Sequence, residues 1–153
     1  MPETQCRMGM ALDYAKAAGL AGEIPVGAVI LAQEGHVIAA ARNEVESRSD
    51  PTAHAEILAI RAACRTLGNH RLTNCSLYVT LEPCAMCASA IAQARIARLY
   101  FGAYDNKSGA VENGVHLFAD PSCHHRPEVY GGIREAECRM LLHEFFKRLR
   151  DTP

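Results

Sequence analysis

Residues 80–90 read TLEPCAMCASA, and residues 52–56, upstream, read TAHAE. Pro83 predicts that a helix begins there, because the N–H that proline lacks is one that a first helical turn leaves unpaired anyway. Cys84 and Cys87, three residues apart, then lie on one face of that turn. The positive end of the helix dipole favours thiolates over thiols at this place. The stretch therefore predicts a cation-binding site.

His54 supplies a third ligand to this predicted site. It follows Pro51 and Thr52, and Thr52 is a suitable N-cap for a second helix. One nitrogen and two sulphur ligands suit zinc, and three protein ligands leave one coordination position open for water, as in catalytic zinc sites. Glu56, two residues past His54, is then placed to carry protons. We predict one zinc ion per chain.

Two other interpretations of the Cys-x-x-Cys pair have to be weighed: a redox pair, or half of a four-ligand structural zinc site. A redox pair usually needs no His-x-Glu. A structural site needs a fourth ligand, and the candidates are scattered, with none paired at ligand spacing: Cys64, Cys75, Cys123, Cys138 and the other histidines. The whole pattern therefore favours a catalytic site.

Length and composition set further limits. The 153 residues predict one domain, 1–153, that buries roughly 70% of its unfolded surface. No apolar run approaches the roughly 20 residues of a membrane span, and the first residues show no signal-peptide pattern. Seven cysteines, an odd number at irregular spacing, favour a reducing cytoplasm over a disulfide framework. With a net charge of −1, a nucleic acid would have to be bound by a local basic patch.

Hydrophobic periodicity predicts an α/β fold. Helices are predicted at residues 3–20, 52–67, 84–94 and 135–150. Strands are predicted at residues 26–31, 37–41, 76–81, 98–102 and 128–130. Two strand–helix units would then bring helix N-termini to the same end of a sheet, where ligands of open α/β sheets bind.

The remaining segments are predicted to be irregular. Residues 44–51 read as a polar loop. The segment 103–127 contains His124 and His125, which either bind a second metal or, as we favour, lie in a solvated loop. In the last helix, the apolar residues predicted to face inward are Met140, Leu141, Phe145 and Leu149.

With these residues in place, the sequence resembles the bacterial tRNA-specific adenosine deaminases of the cytidine deaminase-like superfamily. The resemblance is carried by IPVGAV (24–29), DPTAHAE (50–56), TLEPCAMC (80–87), FGAYDNKSGA (101–110), and the late pairs Glu137-Cys138 and Phe145-Phe146. The metal motif is shared with guanine, cytosine and cytidine deaminases. The segment 101–110 and the last helix are more typical of the tRNA enzymes. Ser89 and His70 depart from the family pattern, but neither stands at a ligand position.

The resemblance implies a three-layer α/β/α sandwich around a mixed five-stranded sheet. It also implies a homodimer that contacts RNA from both subunits. The implied reaction is hydrolytic deamination of adenosine to inosine at the wobble position of a tRNA anticodon loop, with Glu56 as the proton carrier. Two alternatives stay open: deamination of a free base or nucleoside, and a non-catalytic RNA-binding module stabilised by zinc.

The resemblance also implies substrate contacts. Asn43 resembles the base-holding asparagine of the family, although an ordinary turn residue is the alternative, and Ala55 is expected beside it. Asp105 is expected to accept a hydrogen bond from a ribose 2′-OH, with loop capping as the alternative. Phe145 is expected to face the core and Phe146 to face the RNA; the alternative is that both are packing residues of the fold. Phosphate contacts are expected from the basic residues Arg42, Arg48, Lys107, Lys147, Arg148 and Arg150.

Overall fold

The structure, a computed structural model, describes residues 2–151; Met1, Thr152 and Pro153, which the predicted domain 1–153 includes, lie outside the described residues. The helices are α1 (Pro2–Leu20), α2 (Val45–Arg48), α3 (Ala55–Leu67), α4 (Ala85–Gln93) and α5 (Glu135–Asp151). The strands are β1 (Gly27–Leu31), β2 (Val37–Arg42), β3 (Ser76–Leu81), β4 (Arg98–Ala103) and β5 (Glu128–Tyr130). A single 3-10 turn lies at Leu117–Ala119. Within residues 2–151, no helix has both the length and the apolar content that crossing a membrane requires.

The five strands form one mixed sheet in the order β2-β1-β3-β4-β5. Strand β1 is antiparallel to both of its neighbours, whereas β3, β4 and β5 run parallel. The implied mixed five-stranded sheet is confirmed. All five strands begin within one residue of their predicted starts.

Helices cover both faces of the sheet. Because side chains alternate along a strand, Ile30 and Leu31 of β1 point to opposite faces. Ile30 belongs to a buried cluster with Ile91 of α4, and α3 packs into the same cluster. Leu31 belongs to a second cluster with Leu12 of α1 and Cys138 of α5. The implied α/β/α sandwich is therefore confirmed.

Helices α3 and α4 begin later than predicted, which moves their ligands to the N-cap positions. Thr52 does not cap α3, because the Asp50 carboxylate accepts hydrogen bonds from both its N–H (2.9 Å) and its hydroxyl (2.7 Å). His54 is the N-cap instead. Cys84 is the N-cap of α4, since an antiparallel bridge to Gly109 keeps its backbone extended. Pro83 therefore precedes the helix, and the prediction that the helix begins at this proline was wrong.

The predicted polar loop 44–51 contains the short helix α2. The buried carboxylate of Glu23 accepts hydrogen bonds from the N–H groups of Glu46 (2.9 Å) and Ser47 (2.7 Å). Burial alone would raise the pKa of Glu23, but these two N–H groups lower it overall. The local pattern missed α2 because its stabilising partner lies more than 20 residues upstream.

Helix α5 buries a narrower stripe than predicted. Phe145 is buried, as expected, but Met140 and Leu149 are 55% and 57% exposed, so their inward assignment was wrong. Met140 points away from the stripe that contains Cys138 and Phe145, because two residues turn a helix by more than half a circle. Leu149 lies one turn beyond Phe145, the last buried residue of the helix.

Candidate active site

Three predicted metal ligands converge at the N-termini of α3 and α4. His54 caps α3, Cys84 caps α4, and Cys87 lies in the first turn of α4. Nδ1 of His54 is 3.7 Å from Sγ of Cys84 and 3.5 Å from Sγ of Cys87, and the three donor atoms lie within 4.8 Å of one another. In residues 2–151, no other three His, Cys, Asp or Glu side chains approach so closely.

The spacing of these donors fits zinc. A tetrahedral ion with Zn–N near 2.05 Å and Zn–S near 2.3 Å places nitrogen and sulphur about 3.6 Å apart. The observed separations of 3.5 and 3.7 Å agree with that value. No cysteine outside the pair joins the group, and all seven cysteines are free. The geometry therefore favours a three-ligand site over a four-ligand structural site.

The electrostatics of the donor group also favour a cation. The hydrogen bond from Cys87, and then the one from His54, lower the pKa of the Cys84 thiol to about 4. The same pairing raises the pKa of Cys87, and the hydrogen bond to Cys84 raises the pKa of His54. The donor group thus favours a thiolate at Cys84, the form that ligates zinc, and zinc binding releases the protons of its ligands.

Glu56 lies one residue inside α3 and points into this group. Its side chain is 5% exposed, and the Cys87 thiol is close enough to affect the pKa of its carboxyl group. Burial, reinforced by the negative charge of Cys84, raises the pKa of Glu56 to about 7. A carboxyl group with that pKa can both accept and donate a proton near neutral pH.

Asn43 lies beside the metal group, at the end of β2. Its N–H donates to the carbonyl of Val26, and the N–H of Glu44 donates to the carbonyl of Ala53, next to His54. The Asn43 side chain is 7% exposed, yet its Oδ1 has no hydrogen-bond partner in the described part of the chain. An unpaired buried acceptor costs about 1–3 kcal/mol. A ligand that donates to this oxygen would offset that cost, which favours a binding role over an ordinary turn.

The comparisons with known proteins agree with this geometry. Residues 1–103 match the family described as the cytidine and deoxycytidylate deaminase zinc-binding region. The chain belongs to this zinc deaminase family. It is 51% identical over 150 residues to a tRNA-specific adenosine deaminase of Agrobacterium fabrum, covering 98% of each chain.

Solved structures give the same result for the fold. A structure from a study of A-to-I editing by tRNA:A34 deaminases at the wobble position is 53% identical, with a TM-score of 0.87, covering 89% of this chain and 98% of that one. A guanine deaminase from Bacillus subtilis is 32% identical, with a TM-score of 0.63, covering 97% of this chain and 94% of that one. Members of the zinc deaminase fold with different named substrates therefore share this architecture.

Two other predicted substrate residues of this zinc deaminase, Ala55 and Asp105, already have contacts within the chain. Ala55 is fully buried and belongs to the core, so its contact with a substrate remains a prediction. Oδ1 of Asp105 accepts hydrogen bonds from the N–H groups of Lys107 and Ser108, both 3.0 Å long. Asp105 thus caps its own loop, and the ribose contact remains a prediction.

The aromatic pair of α5 and the pair of histidines at 124 and 125 were also predicted from the sequence. Phe146 is 40% exposed and meets the buried Phe145 edge to face, with ring centroids 5.5 Å apart. Its contact with RNA remains a prediction. His124 is exposed, and Nε2 of His125 is 2.7 Å from the carbonyl oxygen of Ile96. Neither histidine joins a metal-binding group within residues 2–151, so the second-metal alternative has no support.

Glu82 is a functional-site residue that the sequence reasoning missed. It is 2% exposed, and its carboxylate accepts five hydrogen bonds from the segment 105–113. The donors are the N–H groups of Asp105, Val111, Glu112 and Asn113 and the side-chain amide of Asn113. Burial opposes ionisation, but these donors lower the pKa of Glu82 overall. The sequence does place an acidic residue between a buried strand and the metal-binding turn, and that position could have indicated its role.

Glu82 fastens this loop to the turn that carries the metal ligands. The N–H of Ala110 donates to the carbonyl of Pro83 (2.9 Å), and Gly109 pairs with Cys84. A Cβ atom on Gly109 would lie 2.6 Å from Cδ of Glu82, so the close approach requires glycine. The loop that contains Asp105 is therefore positioned directly against the zinc-binding helix.

We expect the purified protein to contain about one zinc ion per chain, and Cys87→Ala to lose it, because two ligands do not retain a metal that needs three. Zinc content by inductively coupled plasma mass spectrometry measures this. Cys6→Ala, which removes an exposed cysteine outside the group, is the control. Full zinc occupancy in Cys87→Ala would contradict the ligand assignment.

We expect Glu82→Gln to loosen the segment 105–113 while the zinc remains bound. An amide cannot accept all five hydrogen bonds, and losing part of them costs about 1–3 kcal/mol. Hydrogen exchange at the N–H groups of Val111 and Glu112 should become roughly ten- to a hundred-fold faster. Unchanged exchange there would show that this carboxylate does not hold the loop. Glu112→Gln, whose side chain is exposed, is the control.

Proposed function

We propose that this chain is a zinc-dependent hydrolase that deaminates adenosine to inosine at the wobble position of a tRNA anticodon loop. The observation that supports this most strongly is the buried carboxyl of Glu56 beside three zinc-type donors at two helix N-termini. The 51% identity with a tRNA-specific adenosine deaminase over 98% of both chains supports the substrate.

The zinc would be held by His54, Cys84 and Cys87. When bound, it supplies the Lewis acidity that lowers the pKa of water from about 15.7 to about 7. The two thiolates offset the charge of the ion, so Glu56 is not fixed as an anion and can gain and lose a proton. The side chain of Glu56 is also shielded from solvent, which keeps that proton within the site.

Glu56 carries the proton through the reaction. It accepts one proton from the attacking water and delivers it to the adjacent ring nitrogen, then accepts the second proton from the added hydroxyl and delivers it to the departing amine. A C–O bond forms at the carbon that bears the exocyclic amine, and the C–N bond at that carbon breaks. Adenosine and water thus give inosine and ammonia, with no change of redox state.

Asn43 is proposed to hold the base. Its unpaired Oδ1 can accept a hydrogen bond from a purine N–H, and its amide nitrogen can donate to a ring nitrogen or carbonyl. The backbone N–H of Ala55, in the first turn of α3, is proposed as a second donor. An anticodon loop presents unpaired bases, so extruding one of them costs less than opening a duplex.

Deamination of a free base is the second candidate, because guanine deaminases share the fold at 26% and 32% identity. The discriminating experiment compares anticodon stem-loops that contain adenosine or guanosine at the wobble position with free guanine, cytosine and cytidine. We expect inosine only from the adenosine stem-loop. Ammonia release from a free base, with no inosine from RNA, would reject the proposal. A tRNA substrate would also place the enzyme in the cytoplasm.

We expect Glu56→Gln to retain its zinc and to lose at least about 100-fold in kcat, because the amide keeps the shape of the side chain but cannot carry the proton. Zinc content and inosine formation on the stem-loop are measured together. Glu112→Gln should retain activity. Near-normal turnover in Glu56→Gln would show that another group carries the proton.

Asp105 is proposed to select RNA over DNA through the ribose 2′-OH. Asp105→Asn tests this cleanly, because asparagine keeps the Oδ1 atom that caps the loop. The ratio of activities on matched RNA and single-stranded DNA loops should fall at least several-fold. If the ratio does not change, Asp105 acts only as the cap of its loop.

A homodimer is proposed on the strength of the resemblance. The buried side of α4 packs against the sheet of its own chain, whereas Met86 and Ala90 on its outer side line a groove of about 500 Å³ with Ile57 and Ile60 of α3. Light scattering at micromolar concentration should give twice the 16.6 kDa of the chain. A fully active monomer would contradict the proposal.

A further inference from the structure

A second cavity, of about 350 Å³, opens at the edge of the sheet formed by β2. Its walls come from α1, β2, the segment that follows β2, and α3. Four arginines line it: Arg42, Arg48, Arg61 and Arg65. We propose that this arginine cavity binds phosphate groups of the RNA whose base enters the zinc site; this inference rests on the proposed function.

The charge of the arginine cavity contrasts with the charge of the whole chain. Four guanidinium groups face one carboxylate, that of Glu44, which gives a formal charge of +3 in a chain whose net charge is −1. Glu44 is already paired with Arg48 at 2.9 Å. Asp50 lies nearby, and its pKa is lowered mainly by Thr52 and to a smaller extent by Arg61 and Arg48. The neighbouring carboxylates therefore do not neutralise the cavity.

Arg61 and Arg65 are the arginines most available to a ligand. Both are exposed, and within residues 2–151 neither side chain makes a hydrogen bond or an ion pair. They are four residues apart on α3, so their guanidinium groups share one face of the helix, where like charges repel. Bound phosphate would relieve this repulsion, and guanidinium binds phosphate with two parallel hydrogen bonds.

The position of the arginine cavity indicates which phosphates would reach it. Arg42 immediately precedes Asn43, the proposed base-holding residue, and Nη1 of Arg42 is held by the carbonyl of Ala17 at 3.2 Å. Arg61 is seven residues along α3 from His54, which corresponds to about 10 Å of helix. A nucleotide chain that leaves the zinc site along β2 and α3 would therefore pass the four guanidinium groups. Arg42 and Arg48, predicted as phosphate contacts from the sequence, become part of one site with Arg61 and Arg65.

The test uses the zinc-loaded full chain and a stem-loop with guanosine at the wobble position, so that binding is measured without chemistry. We expect R61Q/R65Q to raise the Kd about ten-fold near 0.1 M salt. The slope of log Kd against log salt should fall by about one to two, the loss of one or two phosphate contacts. R61K/R65K, which keeps both charges, should bind within a few-fold of the wild type.

The control R71Q/R126Q removes the same charge from two exposed arginines outside the arginine cavity. We expect it to leave the salt slope unchanged; equal weakening by both double variants would mean that only net charge matters and would overturn the proposal. A second arm titrates free tripolyphosphate. Tripolyphosphate binding that R61Q/R65Q abolishes, with RNA affinity unchanged, would assign the cavity to a free phosphate compound and likewise overturn it. Inosine formation by the wild type is scored separately, so failure of the proposed function remains distinguishable.

Discussion

The convergence of one imidazole and two thiols within 4.8 Å is the constraint on which the rest of the structure depends. It requires two helices to begin at the same end of the strands of the sheet. Strands β2 and β3 satisfy this requirement because both run antiparallel to β1, and hence parallel to each other. Helix α3 follows β2 after the short helix α2, and helix α4 follows β3. The shared direction of β2 and β3 thus brings the ligands together at one end of the sheet.

Two buried polar groups lie near the metal-binding group, the Glu82 carboxylate and the Asn43 amide oxygen, and they differ in whether they have hydrogen-bond partners. The carboxylate of Glu82 is fully used, with five donors from one loop, and so it stabilises the structure around the metal. The amide oxygen of Asn43 is also buried but has no partner in the described residues. Native proteins rarely leave such an atom unpaired. The first group builds the site, and the second is available to a substrate.

The sequence predicted the elements that local chemistry determines. Alternating and continuous apolar runs located all five strands, and the spacing of His54, Cys84 and Cys87 identified the metal group, because ligand chemistry tolerates few arrangements. The misses have tertiary causes. Pro83 and Thr52 were expected to start helices, but Gly109 and Asp50 act on those turns from elsewhere. The role of Glu82 depends on a loop more than 20 residues downstream, which no local pattern reveals.

The arrangement of the site assigns distinct tasks to neighbouring residues. The proposed zinc ligands lie at helix N-termini, where the dipole favours the thiolate forms of Cys84 and Cys87. Glu56 lies one residue inside α3, so it points into the donor group without being one of its three donors. Asn43 approaches from the neighbouring strand end. The proposed metal binding, proton transfer and base recognition thus fall to separate side chains, which allows each to be tested alone.

The most direct test of a three-ligand catalytic zinc is X-ray absorption spectroscopy at the zinc edge of the purified protein. We expect two sulphur neighbours near 2.3 Å and two lighter neighbours, nitrogen or oxygen, near 2.0–2.1 Å, one of them from solvent. A shell of that composition that includes only one imidazole would establish the open coordination position on which the proposed chemistry depends. Four sulphur neighbours would mean that further cysteines close the site, and would contradict a catalytic role.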